Sequence, residues 1–159
     1  MVIMFETKNF FVYAVDKPLI DRNDGGHIGI VPKKSKPHRW QLPTKIAQEM
    51  MVLSMIVGEA MKIGLNKRGI PVERINFQDN GNWSLGTKHR NKVHLHLFGR
   101  AKNSKYQKRG ESVNFPKRTK FRFLWKKLHP LDSADIQEIL NEVNKISKTP
   151  KYRRIWKSL

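Results

Sequence analysis

The sequence predicts an α+β domain with a mainly antiparallel sheet. Two kinds of observation carry this. Short runs rich in β-branched and aromatic residues recur along the chain, and they are interrupted by one long stretch in which apolar residues return at helical spacing. A second helix start, marked by a capping pattern, follows near residue 132.

Residues 10–15 (FFVYAV) and 27–31 (HIGIV) read as short strands. Between them, DKPLIDRNDGG is rich in Asp, Pro and Gly, and Asp24, Gly25 and Gly26 let the chain reverse, so the two strands are expected to pair antiparallel. From Pro43 to about Lys67, Ile46, Met50, Leu53, Val57, Ala60, Met61 and Leu65 recur at steps of three and four. Pro43 suits a first helical turn, and Gly69 stands just past the expected end. Met50, Met51, Met55 and Met61 on this helix read most simply as core. VERINFQ (72–78) alternates as a third strand and residues 92–98 form a fourth; KFRFLW (120–125) is the expected fifth. Asp132, with Asp135 three residues on, marks the final helix.

The expected organisation is one domain over 1–147 and a basic tail over 148–159. Of the 159 residues, 32 are Lys or Arg and 13 are Asp or Glu, a formal charge of +19. Such a field concentrates polyanions, which points to nucleotides with several phosphates, nucleic acid or an anionic surface. Cysteine is absent, which excludes disulfides and Cys-ligated zinc. There is no apolar run of membrane-spanning length, and the first residues carry Glu6 and no signal-like cleavage site, so a soluble, cytoplasmic protein is expected.

The chemistry concentrates in KVHLHLFGR (92–100). Side chains alternate along a strand, so Lys92, His94, His96 and Phe98 share one face and Val93, Leu95 and Leu97 the other. The second face is core, and the first must border a cleft, because two imidazoles and an ammonium are costly to bury. Three readings compete. The rings can satisfy local hydrogen bonds. They can bind zinc with a third ligand from His27, His89 or Asp79, against which Lys92 would repel a dication. Or a neutral imidazole can attack phosphorus, with nearby cations lowering its pKa and stabilising the transferring group. His38, His89 and His129 lie in polar, basic surroundings and read as solvated; Trp83 suits either packing or stacking on a base.

KVHLHLFGR resembles the signature of the histidine-triad (HIT) superfamily of nucleotide hydrolases and transferases, and the resemblance suggests its diadenosine polyphosphate hydrolase-like branch. His94 matches the middle histidine, the family's nucleophile, and His96 the third, which lies against substrate phosphates. Lys92 stands where the family has its first histidine. Upstream, DKPLIDRNDGGHIGIVPKK resembles the segment in which Asp16 would hold the ribose hydroxyls and His27 would orient the triad. INFQDNG resembles the strand before the phosphate loop, where Gln78 and, more weakly, Asn76 would face phosphate. Arg100 ends the strand within reach of a phosphate.

The resemblance implies a HIT-like fold of about five antiparallel strands with one long and one shorter helix. It also implies nucleotidyl-histidine chemistry on nucleoside phosphates such as dinucleoside polyphosphates, and for many members a homodimer. Such a mechanism needs no metal cofactor, although Mg²⁺ can accompany a polyphosphate substrate. The alternative is a basic nucleic-acid-binding protein on the same fold, weakly catalytic or acting on adenylylated nucleic-acid ends. There the 99–120 loop and the tail would supply phosphate contacts, with Tyr106, Tyr152 and Trp156 for stacking.

Overall fold

The computed structural model of the chain describes residues 1–81, 84, 86, 91–104, 106–115 and 128–156. Five strands form one sheet: β1 (Val2–Glu6), β2 (Phe10–Ala14), β3 (His27–Pro32), β4 (Val72–Gln78) and β5 (Leu95–Ala101). Their order is β1-β2-β3-β5-β4, and every neighbouring pair is antiparallel. The helices are α1 (Thr44–Lys67), α2 (Ser133–Ser147) and the single-turn α3 (Arg153–Trp156). This is the expected α+β architecture, with β2 and β3 paired as their turn residues foretold.

One strand was not expected: β1, at the sheet edge. The strand expected over residues 120–125 lies outside the described residues. The sequence signal for β1 is weak because an edge strand has little to bury: only Met4 reaches the core, while Val2 and Ile3 stay exposed. The histidine strand also pairs later than its pattern suggests. Ladder pairing begins at Leu95, opposite Ile30, and the Val93 amide donates instead to the Lys36 carbonyl at 2.8 Å.

One face of the sheet carries the main core. Val12, Ile28, Ile30, Leu95 and Leu97 meet Leu53, Ile56, Val57, Ala60 and Leu65 of α1. Helix α2 adds Ile139, Val143 and Ile146, one stripe at helical spacing. The two helices approach closely because Gly64 offers no side chain where Ile139 passes. Helix α1 ends as its sequence indicates, with Gly69 at φ +78° just beyond the cap and its amide on the Asn66 carbonyl. The methionines divide: Met50 and Met61 are core, but Met51 and Met55 are exposed, since they fall on the far side of the stripe. Tyr152 is buried in the core and Trp156 lies over Phe5, so both are occupied by packing.

The start of α2 is also a structural junction. Asp132 and Asp135 form the reciprocal cap, each carboxylate accepting from the other's backbone amide, at 2.8 and 3.1 Å. Asp135 is fully buried and also accepts from Arg22 Nη2 at 2.8 Å and Arg68 Nε at 3.2 Å. Burial pushes the Asp135 pKa up, but the Arg22 guanidinium, the cap amide and Arg68 together hold it below 3.8. One carboxylate thereby ties α2, the end of α1 and the turn leading into β3.

Candidate active site

The other face of the sheet is built differently. Register places Tyr13, Gly29, His96 and Gln78 in one row across β2, β3, β5 and β4, and His27, Phe98 and Asn76 in the next. Gly29 is needed there, because the Tyr13 ring lies where any β-carbon at position 29 would stand. The backbones of Gly25 and Gly99 also touch, with the Gly99 amide on the Gly26 carbonyl at 3.2 Å, so the glycine after Phe98 lets the turn cross β5.

This face is open only in part. Phe98 is fully buried in a small second core with Leu19, Ile20 and Val113. The expectation that the whole Lys92–Phe98 face borders a cleft therefore holds for the two histidines and Lys92 but not for Phe98. Residues 106–115 fold over it through Val113 and Phe115, clamped by buried Gln107, which bonds the Asn114 amide and carbonyl at 3.0 and 2.8 Å.

Above the histidines lies a cavity of about 600 Å³. Met1, Tyr13, Leu19 and Val31 make its apolar wall; Asn80, Asn91, Lys92, His94 and His96 are polar lining. Ser84 bonds the Asn91 side chain at 2.7 Å and the Gly81 carbonyl at 2.9 Å, tying three cavity-lining residues together.

Three imidazoles form a connected set whose proton positions follow from their partners. The Leu19 amide donates to His27 Nδ1 at 3.2 Å, so the His27 proton is on Nε2. His27 Nε2 lies 2.8 Å from His96 Nδ1 and donates to it. His96 then carries its proton on Nε2. His94 Nδ1 lies 2.6 Å from the Lys92 carbonyl, which can only accept, so His94 Nδ1 holds a proton and, in the neutral ring, Nε2 is bare.

Protonating His27 would cost the Leu19 bond, and protonating His96 would set two N–H groups against each other. The electrostatics agree. Burial first, then His96 and His94, push the His27 pKa well below 6.5; burial, then His94, push His96 down to about 4. His94 stands edge-on to His96, ring centroids 4.6 Å apart, and His27 is wedged between His96 and Phe98 at 4.9 and 4.5 Å. The set thus places His94, its Nδ1 tied to a carbonyl and its Nε2 outside that bond, next to a neutral N–H donor at His96 and the exposed Lys92.

The residues singled out in the sequence are brought together unequally. His27, His94, His96 and Lys92 converge. Gln78 is the cross-strand partner of His96; its Oε1, like Asn80 Nδ2, is buried with no hydrogen-bond partner among the described residues. Asn76 sits one row away, opposite Phe98. Asp16 pairs with the Met1 amine at 2.8 Å, which holds Met1 at the cavity and lowers the Asp16 pKa, chiefly through that contact.

Arg100 is not brought to the cavity. It is four residues from His96, roughly 13 Å along a strand, and its guanidinium donates to the Lys108 and Glu111 carbonyls at 2.9 and 3.2 Å. His38 stacks on Trp40, and exposed His129 bonds Asp21 at 3.0 Å, so neither is merely solvated. Asp79 pairs with Arg39. Among the described residues no three His, Asp or Glu converge on a metal-sized site; His89 and Trp83 lie outside those residues. Tyr13 and Asn80 are cavity residues that sequence reasoning missed. The glycine inside HIGIV, two residues after His27, is the signal for Tyr13, since a strand glycine marks a close approach.

No family model matches the sequence, and no curated protein does. Solved structures do. A hypothetical histidine triad nucleotide-binding protein from Sulfolobus tokodaii superposes with a TM-score of 0.57 at 15% identity, covering 92% of this chain and 88% of that one. A zinc-bound histidine triad family protein from Mycobacterium smegmatis gives 0.57 at 14%, covering 91% and 85%. A HIT-like protein involved in cell-cycle regulation from Bartonella henselae gives 0.55 at 15%, covering 89% and 85%. At such identities the likeness is one of fold, and the chain has the HIT-like fold.

Proposed function

We propose that this chain is a HIT-type nucleotide hydrolase or nucleotidyl transferase that works through a nucleotidyl-histidine at His94. The observation that carries the reading is the 2.6 Å contact of His94 Nδ1 with the Lys92 carbonyl, which leaves Nε2 outside that bond on a ring that lines the cavity. Nε2 attacks the nucleoside 5'-phosphorus, forming an N–P bond as the bond to the leaving oxygen breaks; water then cleaves the N–P bond and returns the lone pair. His96 Nε2–H and Lys92 steady the phosphate oxygens, Asn80 Nδ2, unpartnered among the described residues, donates to one of them, and Gln78, across the ladder from His96, positions the group. His27 fixes the His96 tautomer. Asp16 is assigned to the ribose, for which it would exchange the Met1 amine.

With His96 held neutral, its N–H is a weak acid toward the leaving oxygen. Leaving groups that depart as stable anions are favoured, which points to phosphoanhydrides such as dinucleoside polyphosphates. The step needs no metal, and Mg²⁺ would enter only with a polyphosphate. A cytoplasmic location and a homodimer belong to the same proposal; β4 ends the sheet, and Phe77, Met51 and Met55 are exposed on its side of α1. Among the described residues no helix is long and apolar enough to cross a membrane.

The test is turnover of diadenosine tetraphosphate, with trapping of a radiolabelled adduct. His94→Ala is expected to lose about 10³-fold or more in rate, and the adduct with it. Turnover that survives the substitution removes the nucleophile assignment. Lys92 in place of a histidine favours a second reading, a nucleic-acid binder that is weakly catalytic or acts on adenylylated ends. In that case affinity falls steeply with salt while diadenosine tetraphosphate is left intact.

A further inference from the structure

The segment from Lys33 to Gln41 has no part in the chemistry above, yet it is built as a surface. Trp40 is 80% exposed, the most exposed large hydrophobic side chain among the described residues. An indole left in water forgoes a large apolar burial, which makes its exposure informative. It is also held: the His38 and Trp40 rings stack with centroids 4.3 Å apart and planes 3° from parallel.

The backbone beneath is anchored throughout. The Lys33 amide bonds the Asn9 carbonyl at 2.8 Å, the Lys36 carbonyl accepts from Val93 at 2.8 Å, and the Gln41 amide closes a tight turn on His38 at 3.0 Å. The His38 amide donates to the Gln41 side chain at 3.2 Å, and Arg39 pairs with Asp79 at 3.3 Å. These ties place the segment at the rim of the histidine cavity. Val93 lies between Lys92 and His94, and Asp79 precedes Asn80, which lines the cavity. Lys34 and Lys36 are exposed and make no ion pair among the described residues.

We infer that the His38–Trp40 stack is a base platform for single-stranded nucleic acid, whose phosphates meet Lys34 and Lys36 as the strand leaves the histidine cavity. A flat ring pre-stacked on one face gains a base at little cost in side-chain order, and every base has a face to offer. A cavity of nucleotide size at one end of a cationic, aromatic track suits a polynucleotide end better than a membrane, which would meet a wider apolar surface. The inference rests on the nucleotide reading for where the strand begins, and it extends that reading from one nucleotide to the chain attached to it.

The experiment is fluorescence anisotropy with labelled oligothymidylate, an abasic oligomer of equal length and phosphatidylserine vesicles. Trp40→Ala is expected to weaken oligothymidylate binding about tenfold, with Trp40→Phe restoring most of it and the abasic oligomer unaffected. Replacing Lys34 and Lys36 with Ala should lower the salt slope by about 0.7 for each. Equal binding by wild type and Trp40→Ala overturns the platform. So does an equal loss on the abasic oligomer, or a Trp40 dependence found on the vesicles and not on the oligonucleotide. The nucleophile is read by turnover and the platform by anisotropy, so each fails on its own measurement.

Discussion

Leu97 and His96 are neighbours on β5, and they inhabit different proteins in miniature. Leu97 is fully buried among the side chains of α1 and the central strands. His96 faces a cavity, and its position is set by a hydrogen-bond chain through His27 to the Leu19 amide. The helix face is held by area removed from water, which any close-fitting apolar side chain provides. The cavity face is held by glycine-sized gaps, directed protons and a ring lying over Gly29. One face tolerates chemical change but not loss of volume. The other tolerates volume change poorly and loss of a proton position not at all.

Substitution on the two faces should separate these roles. His94→Ala carries the largest expected effect, on rate and not on unfolding, because its ring is only partly buried. Leu97→Ala should do the reverse, lowering unfolding free energy by about 3 kcal/mol in denaturant titration. Any adduct that still forms in the folded fraction should form at His94. A Leu97→Ala protein that unfolds like wild type would show that the helix face is not the main store of stability.

Acid should act on the cavity face. His27 and His96 bind protons less readily folded than unfolded, so the unfolded chain takes up more protons as pH falls below 6.5. Stability from His96 is full above 6.5 and is lost as pH falls toward about 4. The slope approaches 1.4 kcal/mol per pH unit for each ring. The depressed carboxyl of Asp135 adds its own loss only below 3.8. Denaturant titrations across this range check the sign, and His96→Phe should flatten the upper part. Gly29→Ala should cost about 1–3 kcal/mol, because its β-carbon meets the Tyr13 ring, which must move aside. Its signature is a raised KM for diadenosine tetraphosphate, because Tyr13 is cavity wall.

Much of this was legible in advance where pattern and burial coincide. Alternation marked β2, β3 and the histidine strand, three-four spacing marked α1, and the Asp132–Asp135 pair marked the start of α2. β1 was hidden because an edge strand needs few buried residues, and Met51 and Met55 misled because composition does not say which side of a stripe a residue takes. Phe98 shares its face with the histidines by alternation, but whether that face is covered depends on Val113 and Phe115, brought over it by residues 106–115. Arg100 looked available in sequence; the carbonyls that occupy it lie eight and eleven residues further on.

The sequence alone determined which side chains share a strand face, where the long helix begins and ends, and that two imidazoles and a lysine stand together, because these follow from local backbone periodicity. Only the tertiary structure decided which ring nitrogen carries each proton. That depends on an amide and a histidine from the segment 19–27 meeting β5 across the sheet, and hydrogen-bond direction between distant residues is set by packing and not by spacing along the chain.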